Sequence, residues 1–317
     1  MSYKAKWQKF GERDWEEIRD AWVANVPSFP SVGVPPDPGL EHLSTLAAIG
    51  LPDANPGYKL VPDVQGIRRI ALWEAVFLFH KCSHTNLAAQ RLGQQGMHSW
   101  CMFNAYHSAY LGARGIMALL GVALTRVGTT QAAIDLFIRG ESNTKRKAQQ
   151  ALRKAGLPQF QEFLLVNLKS NLDQQDLWEG FQRVLRVSVI ACMDQELRRE
   201  LLDLSSGNIT PPRNHFLYQA HFWPLGDLIS DATLEEMDSL IGTHLDAAEE
   251  GFLLRLSFSV YRLFEQLMSD LSEHSPIIKT QFDGSRSWVD SAEPEFGRYR
   301  SFLSQVSSQA RATAGDS

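Results

Sequence analysis

The sequence is short of cysteine. Cys82, Cys101 and Cys192 are its three, far apart and odd in number, and no CxxC spacing occurs. A disulfide framework is therefore not expected, and reduced thiols in a cytoplasmic protein fit best. Long apolar runs are missing too: none approaches the ~18 residues that a membrane span needs, so no membrane association is expected. The N-terminus, MSYKAKWQKFGERDWEE, is too charged for a signal peptide. No GxxxxGK[ST], GxGxxG or GxSxG pattern is present, which argues against P-loop NTPases, Rossmann enzymes and α/β-hydrolases. Sustained period-two alternation and repeats of fixed period are absent as well. Nor does one sign of charge dominate. The net charge of −5 does not advertise a polyanion partner, so any such site has to be a local basic patch.

What is present is helical. With 317 residues, 44% of them hydrophobic, the chain can bury a sizeable core in one large domain or two modest ones. Residues 3–24 bring Trp7, Phe10, Trp15, Ile18 and Trp22 round at helical spacing, an arm that docks on its own core or on a second subunit. Residues 26–66 are crowded with proline, as in VPSFPSVGVPPDPG, which no helix can run through. They read as a wrap or linker, with a short helix near 40–49. Helices are then expected over 68–94, 97–121, 129–138, 145–154, 158–168, 173–205, the later part of 231–271, and 285–308. The class is all-α: a helical bundle with long central helices, an N-terminal helical arm and a Pro-rich wrap. The expected division is 1–66 for arm and wrap, 67–310 for the helical domain and 311–317 for a frayed tail.

Residues 97–121 form the expected central helix. Met102, Tyr106, Ala109, Ala113, Ile116 and Leu120 make one stripe, and Trp100, Phe103, Tyr110 and Leu111 make the other side apolar as well. A helix apolar all round is a buried one. The small residues Ala109, Gly112, Ala113 and Gly115 let neighbouring helices come close.

Several patterns bear on chemistry. His80 and His84 share a helix face at a spacing that can hold a metal, but HExxH is absent and Lys81 is a poor neighbour for a cation; no metal and no cofactor are expected. Cys101 and His107 fall on different faces of one helix, which argues against a thiol–imidazole pair. His107 and Arg114, seven apart, lie within about 20° of each other and roughly 10 Å along the axis. A buried guanidinium needs an acid or a cleft, and Glu74, isolated inside IALWEAVFLF, is a plausible partner. The run KRKAQQALRK carries five cations and no acid, either a solvated helix face or an RNA-contacting patch. Residues 210–224, TPPRNHFLYQAHFWP, combine Arg213, Asn214, His215, Tyr218 and His221 within about three turns, with Thr210 a helix cap and Pro211 suited to the first turn.

Two of these segments resemble the HEPN superfamily, helical domains found in many RNA-cleaving toxins, prokaryotic defence proteins and their degenerate relatives. NAYHSAYLGARGIMALLGV, residues 104–122, is similar to the family's small-residue core helix. Arg213-Asn214 at a later helix start is similar to its arginine–polar pair, which precedes a histidine by four to six intervening residues. Here four residues separate Arg213 from Tyr218, seven separate it from His221, and one separates it from His215. The resemblance implies metal-independent RNA cleavage, or a lost form of it, usually across a homodimer. Arg213 and Asn214 would hold the scissile phosphate and His221 would transfer protons, with Tyr218 as the alternative group; His107, Arg114 and His215 would line the approach. The rival expectation is a non-catalytic scaffold that binds a partner protein of a multi-component system through its tryptophan-rich arm.

Overall fold

The computed structural model describes residues 10–26, 49–50, 58–61, 64–95, 97–127, 130–137, 143–154, 156, 164–167, 172–204, 209 and 249–291. Eight helices carry these residues: α1 (Trp15–Asn25), α2 (Val64–Gln94), α3 (His98–Leu119), α4 (Asn143–Lys154), α5 (Gln174–Val187), α6 (Gln195–Asp203), α7 (Glu249–His274) and α8 (Pro276–Ser291). The fold class is an all-α helical bundle. Short strands accompany it: β1 (Arg13–Asp14), β2 (Ile49–Gly50), β3 (Tyr58–Val61), β4 (Val122–Val127), β5 (Thr130–Asp135), β6 (Leu164–Asn167) and β7 (Ser188–Val189).

The bundle is built around α3. It packs along α2 on one side and α7 on the other, with α5 touching a third side. Ala105, Ala109, Ala113, Ile116 and Met117 are fully buried there. The glycines set the distance of approach. A Cβ at Gly112 would lie 2.5 Å from Val260 Cγ1, and one at Gly115 would fall on the ring of Phe264, both on α7. The facing stripe of α7, Leu253, Leu256, Val260, Leu263, Phe264, Leu267, Met268 and Leu271, is buried throughout. Phe79 of α2 joins this layer, packing edge-on to Phe264 at 5.2 Å and stacking on Phe282 of α8 at 5.6 Å.

The C-terminal end of α3 is the second organising point. A helix leaves its last carbonyls without intrahelical donors, and buried ones must find donors elsewhere. Trp22 Nε1 of α1 donates to Leu119 O at 2.8 Å, and Arg13 donates to Leu120 O at 3.3 Å. Arg13 also pairs with Asp135 of β5; both side chains are buried. A cation at this end complements the helix dipole. Gly121, at φ +83, supplies the left-handed turn that takes the chain from α3 into β4. The arm's other tryptophan, Trp15, is anchored to α7 through Asp270, with Nε1 to Oδ2 at 2.7 Å, and Arg19 pairs with the same carboxylate at 3.3 Å. Trp15 and Trp22 are thus spent on the chain's own core, while Trp7 lies outside the described residues.

Two expected helices are strands. Residues 129–138 contribute β5 and residues 158–168 contribute β6, in a five-stranded antiparallel sheet of order β2-β3-β6-β5-β4. Val127 pairs with Thr130, leaving Gly128 and Thr129 between β4 and β5. The alanines of TQAAID suit a helix in isolation, but β4 offers a full ladder once Gly121 has turned the chain, and pairing overrides propensity. The expected helix over 173–205 is broken as well. α5 starts at a capping box of Asp173 and Asp176, ends at Ser188, and α6 restarts under Asp194, whose side chain accepts from Glu196 N at 2.9 Å. Between them Ser188 and Val189 pair with Arg13 and Asp14. The last helix begins at Pro276, earlier than the expected 285, with proline in the first helical turn where its missing N–H costs nothing. The short helix expected near 40–49 falls almost wholly outside the described residues; Ile49 is in β2.

Two outcomes follow. Gly115→Ala should cost about 1–3 kcal/mol by overpacking against Phe264, read as a lower denaturant midpoint, and Phe264→Leu in the same chain should recover part of the loss. Asp135→Ala leaves Arg13 buried without its acid and should cost about 3–5 kcal/mol; an unchanged midpoint would show that the pair does not hold the arm.

Candidate functional site

One face of α3 is not sealed. Trp100 is 51% exposed, and Phe103, His107, Tyr110, Leu111 and Arg114 are half-buried. At 100° per residue these six positions span about 100° of arc, and the helix is buried around most of the remainder. This corrects the expectation of a helix buried all round. The second apolar stripe read from the sequence is the face that the neighbouring helices leave partly open, because the small residues draw α2 and α7 to the other sides.

That face is an aromatic ladder with two polar groups. Trp100 meets Phe103 edge-on at 5.9 Å, and Phe103 lies 4.4 Å from the His107 ring. Tyr106 packs edge-on to His107 at 6.2 Å and stacks on Tyr110 at 6.4 Å, and its hydroxyl donates to Gln174 Oε1 of α5 at 2.8 Å. One turn past Tyr110, Arg114 donates to Glu74 Oε1 of α2 at 2.6 Å. The expected Glu74–Arg114 pair is present, half-buried, with 29% of the arginine side chain and 20% of the glutamate exposed. The contact orients the guanidinium and offsets its charge, while engaging one of its five N–H donors. His107 and Arg114 therefore do line one face, the histidine within the rings and the arginine tied to an acid.

The other members of the expected site, Arg213, Asn214, His215, Tyr218 and His221, lie outside the described residues. The aromatic face was legible in the sequence as residues but not as a surface. Its signal was the pair of polar groups at His107 and Arg114 on an otherwise apolar helix.

The histidines of α2 and the cysteines play other parts. His80 is half-buried and its side chain meets Gln281 of α8; burial pulls its pKa below the usual imidazole range, the hydrogen bond it donates to Gln281 opposes this, and the neighbouring His84 adds to the lowering. Burial lowers His84 as well. Among the described residues, no group of three or more His, Cys, Asp or Glu could hold a metal ion. Burial pushes the Cys82 thiol up to about 12, beside Ser108 Oγ at 3.4 Å, which makes it a packing group rather than a nucleophile. Cys101 is buried against Gly93, on a different side of α3 from His107.

His80 yields a pH prediction. Its neutral form is favoured in the folded chain, so the unfolded chain binds more protons between the lowered folded pKa and the ordinary 6.5. The stability it contributes is complete above that ordinary value and is lost as pH falls through the window below it. His80→Gln should flatten the decline in denaturant midpoint between neutral and mildly acidic pH. Parallel curves for variant and parent would remove His80 as a source of that decline.

Comparison of the chain with protein-family models, curated proteins and solved structures finds no match.

Proposed function

We propose that this chain is an HEPN-like helical protein of a toxin or defence type that acts on RNA, by metal-independent cleavage or by a binding activity that survives its loss. The observation that carries the reading is the partly open face of α3. Residues 104–122, which resemble the family's core helix, form most of the central helix of the bundle, and their one accessible side presents rings, an imidazole and an oriented guanidinium. Splayed RNA bases stack on such rings, and base–aromatic stacking is worth about 1–3 kcal/mol per base. In this reading Trp100 and Phe103 receive bases, while Arg213 and Asn214 hold the scissile phosphate. His221 takes the proton of the 2′-hydroxyl as its oxygen attacks phosphorus, or returns one to the leaving 5′-oxygen. Arg114, already paired with Glu74, serves better to position than to clamp. A homodimer would offer the shorter route between Arg213 and His221, which are eight residues apart and about 12 Å along a straight helix. A partner-binding scaffold built on the tryptophan-rich arm has less support, since Trp15 and Trp22 are buried in the chain's own core.

The test is cleavage of a broad panel of RNAs in the presence of a chelator. Wild type should cleave, and Arg213→Ala and His221→Ala should each lose about 10²-fold or more while remaining folded. Trp100→Ala should raise KM with little change in kcat. Normal cleavage by His221→Ala together with loss in Tyr218→Phe would transfer the proton role to the phenol. No cleavage and no RNA binding by wild type would move the reading to the scaffold.

A further inference from the structure

The basic helix α4 sits in the connection between β5 and β6, two strands that pair with each other. Leu152 is its buried anchor, at 1% exposure. Arg146, Gln150, Arg153 and Lys154 are exposed. The helix contains no acid, and the sequence adds Lys145 and Lys147 to the same two turns. The bias extends to the whole insertion: between Val122 and Ser170 there are eight Lys or Arg against three Asp or Glu, and one of those three, Asp135, is already paired with Arg13. The chain as a whole has the opposite balance, 31 cations against 36 acids. A local cationic surface on an acidic protein is the electrostatic footprint of a polyanion partner.

The geometry of α4 narrows the partner. Arg146 and Arg153, seven residues apart, lie within about 20° of each other and roughly 10 Å along the axis, and Lys154 follows about 100° further round. Gln150 lies between Arg146 and Lys154 on the same exposed side. This is an exposed array of donors along one side of a helix, suited to a backbone of repeated phosphates. A membrane surface is a poorer fit. Helices that lie in a bilayer expose Trp, Phe or Leu opposite their cations, whereas the one large apolar residue of α4 is already buried in the protein and the others are alanines.

We propose that α4 is a docking surface for the phosphate backbone of RNA, separate from the residues assigned to cleavage. The inference rests on the RNA-directed reading for its choice of nucleic acid. It assigns α4 to affinity and leaves chemistry to the segment that contains Arg213 and His221. A substrate long enough to reach both surfaces would be held by α4, and a dinucleotide would not.

The experiment measures binding of a short labelled single-stranded RNA carrying 2′-O-methyl groups, which cannot be cleaved through the 2′-oxygen, across a series of salt concentrations. Full-length wild type is compared with the triple variant Arg146→Gln, Arg153→Gln, Lys154→Gln; glutamine keeps helix propensity. A control variant, Lys279→Gln with Arg286→Gln, removes exposed cations on α8. The triple variant should bind more weakly. Its plot of log K against log salt should be shallower by about 2, since each lost phosphate contact on a single strand is worth about 0.7 of slope. The control should match wild type, and cleavage of a dinucleotide should be the same in all three. Equal affinity and slope in wild type and the triple variant would overturn the inference and leave the cleavage reading untouched. α4-dependent binding without cleavage of any RNA would sustain the inference and overturn the assignment of cleavage to Arg213 and His221. Binding of wild type to anionic phosphatidylserine vesicles but not to the RNA, lost in the triple variant, would overturn it in favour of a membrane surface.

Discussion

The last-turn carbonyls of α3 have to be satisfied inside the protein, and much of the fold follows from how that is done. Leu119 O and Leu120 O receive their donors from Trp22 and Arg13, which stand far earlier in the chain. Arg13 can be buried there only because Asp135 is beside it, and Asp135 is in place only because Gly121 turns the chain out of α3 into the β4–β5 hairpin. Helix end, arm and hairpin therefore depend on one another. Breaking a buried pair of this kind leaves a charge without compensation, which costs far more than the net worth of the pair.

A second constraint acts along the middle of the same helix. Gly112 and Gly115 admit Val260 and the ring of Phe264, and Ser108 meets Cys82 of α2. Close approach on these sides draws α2 and α7 away from Trp100, Phe103 and His107. The open aromatic face and the tight core are thus two results of one distribution of small and large residues around α3. Glu74 completes the arrangement by reaching from α2 to Arg114 at the edge of that face.

The cations of α4 stand between β5 and β6, in the stretch of chain that joins α3 to α5. The rings of α3 belong to the helical bundle, where the helix is packed against α2 and α7. Exposed charge on α4 can be gained or lost without disturbing the core, because among its described side chains Leu152 is the one that is buried.

The long helices were legible from the sequence alone. The stripe of Leu256, Val260, Leu263, Leu267 and Leu271 specifies α7, and the alternation of small and apolar residues specifies α3, because side-chain burial at period 3.6 is a local property. The Glu74–Arg114 pair was legible for a similar reason: an isolated acid and an isolated guanidinium on apolar helices have to find each other. The sheet was not. TQAAID and LLVN have no period that distinguishes strand from helix, and their conformation is decided by ladders with residues distant in sequence. Nor was the break after α5, where Ser188 pairs with Arg13 across the whole fold. The exposure of Trp100 and His107 belongs to the same class. A hydrophobic stripe states which residues could be buried, but only the packing of three helices decides which sides of α3 they cover.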